Sequence, residues 1–146
     1  MTTPLKNRIL LIEDDEMMRI YFRDIFWIHG RSDIYEVVLA SNYDQAICFI
    51  EDSETRPNTV FLDVTIPEKG KDNSVEEQIN RSLCFVKKIK SNKKYSDIKI
   101  IIYSSYNDNE LESKFKEEGI DGYLIKGQML PKEVIAFTDK IYGFNN

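Results

Sequence analysis

Four apolar runs in this sequence each end on residues that can do chemistry. Ile9 to Ile12 run into Glu13, Asp14 and Asp15, Val60 to Leu62 into Asp63, Ile100 to Tyr103 into Ser104, and Tyr123 to Ile125 into Lys126. Carboxylates brought together from two such runs repel each other unless a cation lies between them. An all-oxygen site completed by waters is what magnesium prefers. A hydroxyl from Ser104 and an ammonium from Lys126 would complete a pocket with acidic and basic walls, suited to a small dianion such as a phosphoryl group. Taken singly, Asp14 reads as a helix N-cap and Asp63 as a turn former; their coincidence with Ser104 and Lys126 is what points to a site.

Those groups meet only if the elements between them bring the run ends to one place. Short apolar runs alternate with stretches of helical period, which predicts strand, crossover and helix units around a parallel sheet. Strands are expected at Arg8 to Glu13, Tyr35 to Ala40, Thr59 to Asp63, Ile98 to Ser104 and Gly122 to Lys126. Helices are expected at Glu16 to Ile28, Tyr43 to Glu51, Ser82 to Lys90, Asn109 to Glu118 and Pro131 to Tyr142. The unbroken first run fits a strand covered by helices on both faces. Gly30 and Gly119 stand where a left-handed C-terminal cap is wanted, either Ser41 or Asn42 caps the second helix, and Pro131 suits the first turn of the last. Such open sheets bind ligands at the carboxyl ends of their strands, where all four groups fall. Phe22, Ile25, Phe26 and Trp27 supply the apolar face of the first helix, with Trp27 at its margin. Cys48 and Cys84, far apart and lacking metal-ligand spacing, read as small core residues.

The 146 residues fit one compact domain, 42% of them apolar and 31% charged, so a core can form and be solvated. A formal charge of -5 argues against direct nucleic-acid contact, because phosphate binding needs a basic face. The run from Lys87 and Lys88 to Lys93 and Lys94 reads as a solvated face. No apolar stretch approaches the ~20 residues that span a bilayer, and none resembles a secretion signal, so a cytoplasmic location away from membranes is expected. His29 reads as a helix-end residue favoured by the dipole, not a phosphocarrier.

Three segments carry a family pattern. Ile9 to Asp14 is an apolar run closed by an acidic pair; Phe61-Leu62-Asp63-Val64-Thr65-Ile66-Pro67 has the form apolar-apolar-Asp-x-x-x-Pro; and Gly119 to Lys126 sets Tyr123 three residues before a Lys, with Ser104 closing the preceding strand. Jointly these resemble the receiver domain of response regulators in two-component signalling, over nearly the whole chain. The resemblance implies a flavodoxin-like (βα)5 three-layer sandwich with a five-stranded parallel sheet of order 2-1-3-4-5. It implies that Asp63 is the phosphoacceptor, Lys126 its phosphate partner, Ser104 the switch hydroxyl and Tyr123 the switching aromatic. Mg2+ would be held by Asp14, Asp63 and the Thr65 carbonyl, with Glu13 acting through water. A sensor histidine kinase or histidine phosphotransfer protein would be the donor. With no output segment in the sequence, the signal would leave by protein–protein contact, and the surface of helix four, strand five and helix five offers a homodimer. The chain would be a phosphoacceptor and no enzyme beyond self-phosphorylation from small donors and slow autodephosphorylation.

Three departures stand out against the family pattern. Gly127 follows Lys126 where receivers have Pro, which predicts a rebuilt loop. The stretch from about 68 to 81 is an insertion of ~10 residues relative to the short connections usual in such units. It contains Lys69, Gly70, Lys71, Asp72 and Asn73, and reads either as a solvated loop, or one extra turn of the third helix, or as a partner-specific lid. Tyr106, two residues past Ser104, would shield an acyl phosphate from water. The alternative function is a degenerate receiver acting as a phosphorylation-independent interaction module. A haloacid-dehalogenase type hydrolase needs a second Asp where this chain has Thr65, and a flavodoxin-like cofactor binder needs a phosphate loop where Glu13, Asp14 and Asp15 stand.

Overall fold

The computed structural model describes residues 7–68 and 73–144. Ten elements alternate along the chain: β1 (Asn7–Ile12), α1 (Glu16–Ile28), β2 (Tyr35–Ala40), α2 (Tyr43–Glu51), β3 (Thr59–Leu62), α3 (Val75–Ser91), β4 (Lys99–Ser104), α4 (Asn109–Glu117), β5 (Gly122–Ile125) and α5 (Pro131–Ile141). The strands form one sheet of order β2-β1-β3-β4-β5 with every pairing parallel. The expected three-layer architecture and strand order are therefore observed.

Successive strand residues alternate between the two faces, and both faces are covered, so the central positions of β1, β3 and β4 are all apolar. Leu10, Ile12, Val60, Leu62, Ile100 and Ile102 pack against residues of α2, α3 and α4. Ile9, Leu11, Phe61, Ile101, Tyr103 and Leu124 pack against α1 and α5. Register then fixes where the strands stop: Ile12 pairs Leu62, Leu62 pairs Ile102 and Ser104 pairs Ile125. Glu13, Asp63 and Lys126 each stand one residue beyond a strand rather than closing it, as the sequence reading had it. Other shifts of one residue occur at the starts of β1 and β4 and at the ends of α3, α4 and α5.

Capping explains the helix starts. Asp15 Oδ1 accepts from Met17 and Met18 N–H at 2.9 and 3.3 Å and opens α1. Of the two candidates for α2, Asn42 is the cap, accepting from Gln45 N–H at 2.9 Å. Gly30 and Gly119 adopt the left-handed conformation, with φ of 71° and 92°, and Pro131 occupies the first turn of α5.

The third helix departs from expectation. It begins at Val75, seven residues before Ser82, because Ser74 Oγ accepts from Glu77 N–H at 3.1 Å and the first turn carries Glu76 and Glu77 toward the positive end of the dipole. Most of the described part of the 68–81 insertion is thus about two turns of helix; Lys69, Gly70, Lys71 and Asp72 lie outside the described residues. Cys48 and Cys84 are both exposed, not in the core, since they sit on the outer faces of α2 and α3. Trp27 is likewise 70% exposed, while Phe22, Ile25 and Phe26 are buried. At the opposite end of the sheet from Asp63, buried Asp139 of α5 accepts from Arg31 and from the Tyr35 hydroxyl, the latter at 2.7 Å. Among the described residues no helix is long and apolar enough to cross a membrane.

Candidate functional site

The carboxyl ends of β1, β3 and β5 deliver their next side chains into one pocket. Glu13 N–H continues the ladder to the Ala40 carbonyl at 3.0 Å, and Asp63 N–H does the same to Ile12 at 3.1 Å, so both side chains leave rigid backbone. Lys126 N–H donates to the Ser104 carbonyl at 2.8 Å. Its Nζ then donates to Glu13 Oε1 at 3.0 Å and to Asp63 Oδ2 at 3.1 Å. The other Asp63 oxygen, Oδ1, accepts from both the N–H and the hydroxyl of Thr65, at 3.0 and 3.1 Å. Asp63 is thus buried and engaged on both oxygens. Asp14, by contrast, is exposed at the mouth.

Burial makes this cluster electrostatically tense. Burial pushes the Glu13 carboxyl up to about 8, and its hydrogen bond to Asp63 and the Asp63 charge add to that while Lys126 opposes it. Burial alone would raise Asp63 too, but the Glu13 hydrogen bond, the Lys126 charge and the Thr65 N–H outweigh it and hold the carboxyl below its ordinary value. Asp14, though exposed by area, is raised by the partial loss of solvent on its pocket side, with the Asp63 charge contributing. Lys126 is raised as well, its loss of solvent being more than offset by the two carboxylates. The pocket therefore gathers more acid than its one ammonium neutralises.

That imbalance fits a divalent cation. Glu13, Asp14 and Asp63 each present a carboxylate oxygen, all within 4.8 Å of one another. Glu13 Oε2 is buried without a hydrogen-bond partner, an acceptor that a cation or its bound water would satisfy. The donor set is all oxygen, as Mg2+ and Mn2+ prefer.

Ser104 is fully buried, and its Oγ accepts from Tyr106 N–H at 3.1 Å rather than reaching Asp63. The Tyr123 hydroxyl donates to the Tyr106 carbonyl at 2.9 Å. Burial pushes the Tyr123 phenol up to about 12, with Glu112 and Asp108 adding to the rise and its hydrogen bond to Ser104 opposing it. The two candidate switch residues are thereby joined through Tyr106. Gly127 adopts φ 82°, and Gln128 N–H closes the turn onto the Ile125 carbonyl at 3.2 Å, so here a left-handed glycine turn follows the lysine. Two contributors escape the sequence reading. Tyr103 places its ring 5.7 Å from Lys126 Nζ, though in sequence it is only the penultimate residue of a strand. Arg19 donates to the Glu13 carbonyl at 2.8 Å across the first turn of α1.

A sequence profile of the response regulator receiver domain matches residues 9–136. Among solved structures, chemotaxis protein CheY4 of Vibrio cholerae superposes with a TM-score of 0.73 at 18% identity, covering 94% of this chain and 99% of that one. A response regulator from Thermotoga maritima also gives 0.73 at 18% identity, with 94% and 98% covered. The Mn2+-bound form of response regulator Rcp1 gives 0.67 at 20% identity, with 94% and 93% covered. No curated protein matches the sequence.

Proposed function

The chain belongs to the response regulator receiver family, and on that footing we propose that Asp63 accepts a phosphoryl group from a histidine kinase or histidine phosphotransfer protein, with Mg2+ bound at Asp14 and Asp63. The observation that carries this is Asp63 itself: a buried carboxylate at a strand end, fixed by Thr65 on one oxygen, with Lys126 on the other and two further carboxyls beside it. The Thr65 carbonyl and, through water, Glu13 would complete the metal's protein contacts. When bound, the ion neutralises charge on the transferring oxygens.

The residues divide the remaining work. Thr65 holds the Asp63 carboxylate in one orientation, so that the donor's P–N bond can break as a P–O bond to Asp63 forms and the imidazole keeps the electron pair. Lys126 sits where it can stay paired with the acyl phosphate, which adds about -1.5 to -2 charges by analogy with phosphorylated side chains. Ser104 carries the hydroxyl tied to the switch. If it turns to a phosphoryl oxygen, it gives up the Tyr106 N–H, and the Tyr106 carbonyl that holds Tyr123 shifts with it. That couples charge at Asp63 to the surface of α4, β5 and α5, a two-state element biased by a local event. The module is thereby a signalling protein acting through contacts with partner proteins in the cytoplasm, with a homodimer through that surface as one output. Donor docking has support beside the pocket: Met17, Tyr21 and Ile28 form an exposed apolar stripe along α1, starting at the pocket's mouth.

The reading is tested by incubation with a phosphorylated phosphotransfer protein and Mg2+, followed by borohydride reduction and peptide mapping. Homoserine at position 63 is the expected product. Homoserine at another position would move the phosphoacceptor away from Asp63, and none at all, with Mg2+ also failing to bind, would make this a phosphorylation-independent interaction module.

A further inference from the structure

The two extra turns of α3 create a surface that the phosphorylation chemistry does not use. They form one wall of a cleft of about 330 Å3 whose other wall is the start of α4, a size at the low end for pockets that take small ligands or anchor side chains. Its floor is apolar: Ile79 and Leu83 from α3 face Tyr106 and Leu111. Val75, at the head of the extension, is 44% exposed at the rim, an apolar residue no core requires there.

Charge on the rim selects the occupant. Glu76, Asp108 and Glu110 stand against Lys114 alone. First-turn carboxylates are ordinary at helix N-termini, but here the first turns of two helices converge on one apolar floor, so their charge is concentrated at its edge. The cleft is also preformed. Tyr106 is pinned through its N–H to Ser104 and through its carbonyl to Tyr123, and α3 is pinned by the Ser82 hydroxyl, which donates to the Val64 carbonyl at 2.9 Å. A rigid cleft costs little to order when it binds.

We infer that the α3–α4 cleft is a docking site for a segment of a partner protein that presents an apolar anchor side chain flanked by Lys or Arg. It lies outside the phosphorylation pocket and is already formed in the unphosphorylated chain.

The test is a titration of the isotope-labelled, unphosphorylated full chain with a short acetylated peptide of two leucines flanked by lysines, followed by amide and methyl shifts. The control is the same peptide with glutamates in place of lysines. Saturable shifts at Ile79, Leu83 and Leu111 are expected with the lysine peptide and not with the glutamate one. The double variant Glu76→Lys, Glu110→Lys, at two exposed positions, is expected to weaken binding at least tenfold while its circular dichroism stays unchanged; Val75→Lys, also exposed, provides a second, independent loss. Shifts that map elsewhere, equal binding of both peptides, or shifts that depend on protein concentration alone, as when a second copy fills the cleft, would each overturn the assignment. The titration uses only the unphosphorylated chain, so a failure of phosphotransfer to Asp63 would leave its outcome unchanged.

Discussion

Replacing Lys126 by Met keeps most of the side chain's volume and removes only its charge. In the parent, Nζ lies 3.0 Å from Glu13 and 3.1 Å from Asp63, and the three side chains are 15%, 3% and 8% exposed. Removing one partner from a buried ion pair costs about 3–5 kcal/mol, because the remaining charge is left uncompensated. Here the lower end applies, ~3 kcal/mol. Asp14 is exposed and opens the pocket to water, and Glu13 can hold a proton beside Asp63 instead of a second charge. With a urea m-value of about 2 kcal/mol/M, the unfolding midpoint should fall by ~1.5 M. Mg2+ replaces the missing cation, so it should stabilise Lys126→Met more than it stabilises the parent; a concentration 100-fold above Kd contributes about 2.7 kcal/mol to a site that binds only the folded chain. Urea titrations of both proteins with EDTA and with excess Mg2+ give all four midpoints. A fall below ~0.3 M, or equal stabilisation of both proteins by Mg2+, would refute the charge balance described for this pocket.

Three further outcomes follow from other parts of the fold. Asp139→Asn removes the charge that Arg31 and the Tyr35 hydroxyl share, and should cost ~3 kcal/mol, lowering Tm by roughly 9 °C; calorimetry showing less than a third of that drop would mean the network contributes little. Ser74→Ala deletes the cap of α3 and should cost ~1 kcal/mol. Amide exchange should speed up at Glu77 and Gln78 with the centre of the helix unaffected, and unchanged exchange would place the helix start elsewhere. Tyr43, Tyr123 and Tyr142 are each pushed up to about 12 by burial, from an ordinary value near 10. The unfolded chain sheds these protons first, so stability present below pH 10 is lost as pH rises through 12. Thermal scans across that range, read with phenolate absorbance, should show ionisation arriving with unfolding; ionisation in the folded state near pH 10 would contradict it.

How much of this was legible in the sequence differs by element. β1 and β4 announce themselves as unbroken apolar runs because both sheet faces are covered, and α1 and α2 are bounded by an Asp or Asn cap at one end and, for α1, a glycine at the other. The pocket was legible for a related reason: four polar groups each terminate an apolar run, and a parallel sheet brings all such ends to one edge. The start of α3 is only half legible: one extra turn is among the readings of this segment, but two form, because the polar residues after the Ser-x-x-Glu signal of Ser74 to Glu77 hide the inward positions Ile79 and Leu83. Cys48 and Cys84 lie outside the core for a different reason, and Trp27 stands beyond the margin of its helix face for the same one. Residue type gives the tendency to bury, whereas which side of a helix faces the sheet is decided by neighbouring positions that pack better, such as Phe26 beside Trp27 and Phe85 beside Cys84. Ser104 was placed by type and spacing, but its bond to Tyr106 depends on the path of the loop after β4, which periodicity does not encode.

The most direct test of the central claim is intact mass after incubation with acetyl phosphate, with and without Mg2+, on the parent chain and on Asp63→Asn. The account predicts one added phosphoryl group in the parent, dependent on Mg2+ and absent from the variant. An adduct that persists in Asp63→Asn, or a parent that binds Mg2+ yet never gains the mass, would contradict it.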